Sequence, residues 1–498
     1  MELDTVLLIG ALVVLVAVLA ARIGARLGLP SLLIFLGLGM ALGSVFEFKD
    51  AGLAHALGFA ALVLILGEGG LTTKWADIRG TLGLATLLAV VGVGVSIGLV
   101  ALFCHLLLGL NLGVSVLLGA VTAPTDSAAV FSVLRKVPIP ARLRAILEAE
   151  SGLNDAPVVL LVAVATELAM GAQFEGGPLM IGLLVVGELL GGVLIGVLVG
   201  LAGVWVMRTV ALPSSGLYPL AAMGWAVLSY GLGTLVHVSG FAAVYFCAVL
   251  LGNKRLPHRA ATRSFAEGVG WIAQIGLFVM LGLLAEPSRL TWNSVVIGVL
   301  LGLFCTFVAR PVSVFVCTVW FKINWREHLF LSWAGLRGAV PIIMATVPMA
   351  AGLTRSDQLF DVVLVFVIVF TLVQAPTLAW LARVLQIAAD DTTDAEVEVA
   401  PLDRIGADLI QVKVPVGSKL QGVEIRELRL PRACAVSLVV RGGEPFVPAP
   451  GDKIRIGDEM IVVAPSQQRA RVEERFHQVG RGGRLARWRE IRQDHSDL

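Results

Sequence analysis

A chain of 498 residues that is 57% hydrophobic, 15% charged and +0.88 in mean hydropathy is no soluble globular domain, since those carry about 25% charged residues. Its net charge of +2 gives no ground for a nucleic-acid partner. The five scattered cysteines (Cys104, Cys247, Cys305, Cys317 and Cys434) are not spaced as a metal site or redox motif, and no cofactor is expected. What remains is a polytopic membrane protein.

The amino terminus, MELDTVLLIG, carries acids where a secretory signal carries basic residues, and its apolar run continues to Ala21. It reads as a first transmembrane helix with its amino end outside. At about 20 apolar residues per span, about thirteen transmembrane helices are expected. The runs are 5–27, 30–46, 51–72, 80–109, 112–135, 141–171, 179–208, 215–236, 239–253, 263–285, 291–319, 326–352 and 356–387. Sixteen basic residues, from Arg22 and Arg26 to Arg326 and Arg383, then fall on one side of the membrane. Only Lys49, Arg289 and Arg355 fall on the other. By the positive-inside rule the amino terminus is outside and the carboxyl terminus is cytoplasmic.

Two of these segments are interrupted. Pro124 in VTAPTDSAAV removes an amide donor and disfavours helix at Ala123, and Gly335, Gly338 and Pro341 interrupt WAGLRGAVPII. They are the fifth and twelfth segments, and their odd offset gives opposite orientations, as an inverted repeat requires. The expected fold class is therefore an all-α polytopic membrane protein with inverted repeats and two broken helices, followed by a small strand-rich α+β cytoplasmic domain. The transmembrane part should cover 1–387 and an acidic linker 388–403. A domain at 404–465 follows, where DLIQVKV, ACAVSLVV and DEMIVVAP alternate with period two between glycine turns. The Arg-rich tail, 466–498, either lies against anionic lipid heads or is solvated.

Carboxylates at membrane depth are costly and mark ion or proton pathways. If the sixth span enters the membrane near Ala141, Asp155 lies about 20 Å along it, near mid-bilayer. Ser151 is one turn below on the same face, while Glu150 and Asn154 share the adjoining face. Asp155, Ser151, Asn154 and freed carbonyls around Thr125 supply the oxygen ligands that a hard monovalent cation requires. Burial disfavours a charged carboxylate, so Asp155 can take a proton in the cation's place. A site that holds one or the other is the minimal machine for exchange. Ser151 or Thr125 alone could merely serve its own helix, but a mid-membrane Asn154-Asp155 pair is harder to assign to structure. Asp126 is placed to cap the second half of the broken fifth helix. Glu68, between glycines in LILGEGGLTT, is a helix-end acid that could approach the ion. Arg337 sits in apolar surroundings and needs an acid, with Glu150 or Glu148 the candidates for a scaffold ion pair.

In TAPTDSAAV at 122–130, ESGLNDAPVVLL at 150–161, FVARPVSVF at 307–315 and GLRGAVPI at 335–342, the chain resembles the monovalent cation:proton antiporter superfamily. The match is to the Asn-Asp branch and covers residues 5–387. The resemblance implies a homodimer in the lipid bilayer of the bacterial inner membrane, with two broken helices that cross. It implies exchange of K+ or Na+ for H+, with an ion-carrying half moving like an elevator against a scaffold half. It assigns Asp155 as the ion- and proton-binding acid beside Asn154, with Ser151, the Thr125 carbonyl and Glu68 completing the shell, and Glu150 paired with Arg337. The segment at 401–465 resembles a TrkA carboxyl-terminal (RCK-C) regulatory domain, the arrangement of cell-volume-regulation potassium/proton antiporters. That favours K+ over Na+ or Li+ and implies a nucleotide or other small-molecule regulator. No Gly-rich Rossmann half precedes the domain, so no dinucleotide site is implied. A single titrating Asp155 beside neutral Asn154 implies electroneutral exchange. A gated cation channel would need a carbonyl filter such as TVGYG, which the sequence lacks. An intramembrane enzyme would favour paired acids or histidines nearer the surface, and no enzyme is expected.

Overall fold

The computed structural model describes residues 3–27, 31–46, 48, 50–126, 139–172, 177–210, 212–254, 256–387, 407–415 and 418–483. They fall into two compact units, Met1–Thr392 and Thr393–Leu498. In chain order the helices of the first unit are α1 (Leu3–Leu27), α2 (Ser31–Gly43), α3 (Ala51–Thr72), α4 (Leu82–Leu106), α5 (Leu112–Thr122), α6 (Ala141–Ala169) and α7 (Gly177–Thr209). They continue with α8 (Leu217–Leu235), α9 (Gly240–Asn253), α10 (Arg259–Leu284), α11 (Trp292–Thr318), α12 (Trp325–Trp333), α13 (Ala339–Ala350) and α14 (Ser356–Val384). Single turns at Trp75–Ile78 and Pro287–Arg289 lie between them. Among the described residues, seven helices (α3, α4, α6, α7, α10, α11 and α14) are long and apolar enough to cross a membrane. Helices α2, α5, α9 and α13 are apolar but shorter, so length and composition alone stop short of the expected thirteen.

Polar residues at the ends of apolar runs fix where these helices begin. Asp50 Oδ1 accepts from the Leu53 amide at 2.9 Å to start α3, and Asn111 Oδ1 accepts from Gly113 at 2.9 Å to start α5. Asn324 and Glu327 close a reciprocal capping box on α12. Two helices contain a π-turn, Leu88–Gly92 in α4 and Cys305–Ala309 in α11. Helix α5 stops at Thr122, and the chain runs without helix through 123–126, where Pro124 withholds its amide. The expected second half of that segment, 127–138, lies outside the described residues. Helix α12 stops at Trp333, the chain is non-helical through 334–338, and α13 starts at Ala339. A large apolar core runs through the unit, from Phe35 and Leu36 in α2 to Phe366 and Phe370 in α14, beside a small cluster of Ile78, Ala85, Ala145 and Ala149.

The second unit is built on a four-stranded antiparallel sheet of β1 (Ala407–Lys413), β2 (Ala435–Arg441), β3 (Glu444–Phe446) and β4 (Glu459–Pro465), in the order β1-β4-β2-β3. Strand β4 alternates as its sequence requires, burying Met460, Val462 and Ala464. Helix α15 (Arg469–Gly482) adds Val472, Phe476 and Val479 to the same core, one stripe at helical spacing. The domain was expected to end at 465 and give way to a tail. Those three apolar residues, set among arginines, instead carry the fold on through α15. Residues 388–403, expected as a linker, and 484–498 lie outside the described residues.

Candidate functional site

The two breaks meet. The Asp126 amide donates to the Leu336 carbonyl at 2.8 Å, and the Ala339 amide donates to Asp126 Oδ2 at 3.1 Å. Arg337 Nε donates to the Thr122 carbonyl at 3.3 Å and Nη1 to the Gly335 carbonyl at 3.1 Å. A carboxylate thus faces the amino end of α13, and a guanidinium faces the carboxyl end of α5. Each charge opposes the partial charge of a helix end and satisfies backbone groups that a broken helix leaves unpaired. Asp126 was expected to cap its own segment; among the described contacts its carboxylate caps the other broken helix. Glycine is required at two points of this crossing. A Cβ on Gly338 would collide with the Asp126 carboxylate, and one on Gly335 with the Arg310 guanidinium.

Helix α6 lies against the first break. Ser151 Oγ donates to the Thr125 carbonyl at 2.7 Å, and Asn154 Nδ2 donates to Thr125 Oγ1 at 2.9 Å and to the Thr125 carbonyl at 3.4 Å. Ser151, Asn154, Asp155 and Thr125 are all buried, between 1% and 6% exposed. Spending both donors on Thr125 leaves Asn154 with its amide oxygen. Asn154 Oδ1 and Asp155 Oδ1 are buried with no hydrogen-bond donor among the described protein groups. Two buried acceptors on consecutive residues, each without a donor, are costly unless a proton or a cation supplies the missing positive charge. Among the described residues, Asp126 is a second carboxylate within electrostatic reach of Asp155, and it is bonded to Ala339. Glu68 is half-buried, with its side chain set against Gly270 of α10.

One turn before Asn154, Glu150 is buried and paired bidentately with Arg310 of α11, Nη1 to Oε1 at 2.5 Å and Nη2 to Oε2 at 2.9 Å. The Thr371 hydroxyl in α14 donates to the Arg337 carbonyl at 2.6 Å, and Gln374 donates to Thr306 of α11 at 3.3 Å. These buried bonds tie α5, α6, α11, α13 and α14 together around Asp155.

Residues 11–384 match the sodium/hydrogen exchanger transmembrane family, and residues 409–477 match the TrkA-C domain. The chain belongs to the sodium/hydrogen exchanger family. This exchanger is 31% identical over 507 residues to the K(+)/H(+) antiporter NhaP2 of Shewanella oneidensis, covering 98% of this chain and 86% of that relative. It is 32% identical over 469 residues to the K(+)/H(+) antiporter NhaP of Alkalimonas amylolytica, covering 92% and 81%. Its fold is similar to that of the sodium proton antiporter MjNhaP1 from Methanocaldococcus jannaschii, with a TM-score of 0.65 at 21% identity over 77% of this chain and 99% of that one. The exchanger is a cation/proton antiporter with a TrkA-C domain, and not an enzyme.

The expected grouping of Asp155, Asn154, Ser151 and Thr125 comes together in this exchanger, with one change. The Thr125 carbonyl already accepts two hydrogen bonds, so the oxygens left for an ion are those of Asn154, Asp155 and the Ser151 hydroxyl. The expected Glu150–Arg337 pair is corrected, because Glu150 is occupied by Arg310. Both arginines lie in apolar runs and both need compensation. Arg337 finds it in carbonyls and in the face of Phe366, 5.9 Å from the ring centre. The signal for Arg310 was present in FVARPVSVF, a lone charge inside an apolar run.

Proposed function

We propose that this exchanger moves potassium against protons across the bacterial inner membrane, one cation for one proton, with Asp155 as the group that carries either. The observation that carries the reading is that Asp155 Oδ1 and Asn154 Oδ1 are buried without donors on the helix whose Ser151 and Asn154 bond to Thr125 at the first break. A cation takes the carboxylate, the amide oxygen and the hydroxyl oxygen as ligands, while a proton neutralises the carboxylate alone. Occupancy by one excludes the other, and only an occupied, neutralised site can be moved through an apolar barrier. Asp126, bonded to Ala339, holds the breaks together and takes no part in the cycle, which makes the exchange electroneutral.

About thirteen helices span the membrane, with the amino terminus outside and the carboxyl terminus in the cytoplasm. The matching π-turns of α4 and α11, each followed by a helix that stops at a non-helical stretch, 123–126 and 334–338, support an inverted repeat. The buried bonds among α5, α6, α11, α13 and α14 support an elevator in which these helices move as one body against a scaffold that forms the homodimer. Glu68, whose side chain lies against Gly270 of α10, completes the ion shell. The TrkA-C unit sets how often the cycle runs, in response to a nucleotide or other small molecule. Potassium is favoured because relatives sharing 31% and 32% of their residues with this chain bear that name. Sodium is the second reading, since the oxygen set itself suits either ion. Proteoliposomes carrying an internal pH dye, challenged with potassium, sodium or lithium in turn, test the proposal. Dye responses to potassium that saturate and survive a clamped voltage support it, whereas a response to none of the three overturns it.

A further inference from the structure

The second unit contains a cleft of about 250 Å³ lined by Arg429, Pro431, Arg471, Glu474, Arg475 and Gln478. Three arginines converge there from two elements, the turn after Ile425–Leu428 and the first half of α15. Arg471 and Arg475 are one helical turn apart and share a face. Arg475 is fixed in place, with Nε donating to the Leu428 carbonyl at 2.9 Å and Nη1 to Gln478 Oε1 at 3.5 Å. Glu474 is the one acid of the lining, and it accepts from Gln478 Nε2 at 3.3 Å. Among the described residues, neither Arg429 nor Arg471 forms a hydrogen bond or an ion pair. Elsewhere in this unit, Arg426 pairs with Glu424 and Arg441 with Asp458.

Arg429 adds a second observation. It adopts a left-handed conformation, φ 48° and ψ 54°, at a turn where glycine or asparagine carries little strain. A long cationic side chain at such a position has a backbone cost that the turn itself does not require. What it gains is placement beside Arg471 and Arg475.

We propose that this cleft binds a phosphate group, held by the forked donors of Arg429 and Arg471 against the fixed Arg475. Guanidinium groups match phosphate oxygens in planar, paired hydrogen bonds, and three arginines against one acid leave the cleft with a surplus of positive charge. The cleft is smaller than the usual 300–1,000 Å³ of a drug-sized ligand site, so it takes the phosphoryl part of a ligand and leaves the remainder outside. The phosphate belongs either to a soluble phosphorylated compound or to a lipid headgroup. Its effect on transport rests on the reading of this unit as the regulator of the exchanger, but its binding does not.

The test uses the full-length protein with Arg429→Gln/Arg471→Gln, a surface pair that spares the Arg475–Leu428 bond. Inorganic pyrophosphate is titrated calorimetrically in detergent, and exchange is measured in vesicles of phosphatidylcholine with and without phosphatidylglycerol. Pyrophosphate binding at one site per chain, weakened at least about tenfold in the double variant, supports a soluble phosphate ligand. A phosphatidylglycerol dependence of exchange that the double variant loses, without pyrophosphate binding, supports a headgroup. If neither is seen, or both proteins respond equally, the site is overturned. Exchange by the wild-type protein in the same vesicles keeps that failure separate from failure of the antiporter reading.

Discussion

The Glu150–Arg310 pair offers the sharpest perturbation of the carrier's architecture. Both side chains are within 5% of complete burial, and the pair is bidentate at 2.5 and 2.9 Å. Removing one partner of a buried pair leaves the other charge without compensation, at a cost of about 3–5 kcal/mol. Against a total stability of about 5–15 kcal/mol for a typical domain, Arg310→Ala should lower the yield of monodisperse protein sharply. The protein that survives should melt well below the wild type. Arg310→Lys keeps the charge and loses the fork, so its loss should be smaller. Glu150→Gln/Arg310→Met removes both charges and should recover at least half of what Arg310→Ala loses, read as melting temperature in detergent. The same Glu150→Gln change should not rescue Arg337→Ala, whose damage lies in the unpaired Thr122 and Gly335 carbonyls. A double variant no better than Arg310→Ala, or rescue of Arg337→Ala by Glu150→Gln, would refute the pairing.

Asp126→Ala removes the cap of α13 and a charge at its amino end, and should cost about 1–3 kcal/mol, with Asp126→Asn milder. Thermal melting checks this, and equal melting of all three proteins would contradict the cap. In the TrkA-C unit, burial works against ionisation of Asp458, but bonds to Arg441 and the Arg455 amide outweigh it and hold its carboxyl below the usual range. That stabilisation is complete above the ordinary carboxylate pKa, near 4, and is lost as pH falls through the lower folded value. Arg441→Ala should therefore speed amide exchange of β4 at pH 7 by roughly 10–100-fold, for about 1.5–3 kcal/mol, and the ratio to wild type should shrink towards pH 3. A pH-independent ratio would argue against the linkage. Truncation after Gln386 should alter the rate or pH profile of transport while leaving the order of cation preference intact. A changed order, measured in the same vesicles, would place the TrkA-C unit in ion selection.

The parts of this site that were legible in the sequence are those encoded locally. Asn154 and Asp155 are neighbours, Ser151 is one turn away, and Pro124 marks a break by its own chemistry, so each can be read from a window of a few residues. What stayed hidden depends on contacts between distant segments. Glu150 and Arg310 are 160 positions apart, and nothing local distinguishes Arg310 from Arg337 as the partner. The choice is made by the fold, because the non-helical stretch at 334–338 turns Arg337 onto the end of α5 while Arg310 follows the π-turn of α11. The bond from Ala339 to Asp126 was hidden for the same reason, since it depends on where the second break lands. Helix α15 was obscured by composition: its arginines dominate the sequence, and only three residues in its stripe reach the core.

Electroneutral exchange through Asp155 alone is tested most directly in vesicles holding a pH dye, with potassium-driven exchange measured at potentials set by a thiocyanate gradient in wild type and Asp155→Asn. The account expects a wild-type rate that does not follow voltage and no cation-dependent proton movement in a folded, correctly inserted Asp155→Asn protein. Proton movement that persists in that variant, or a wild-type rate that tracks the imposed potential, would contradict it.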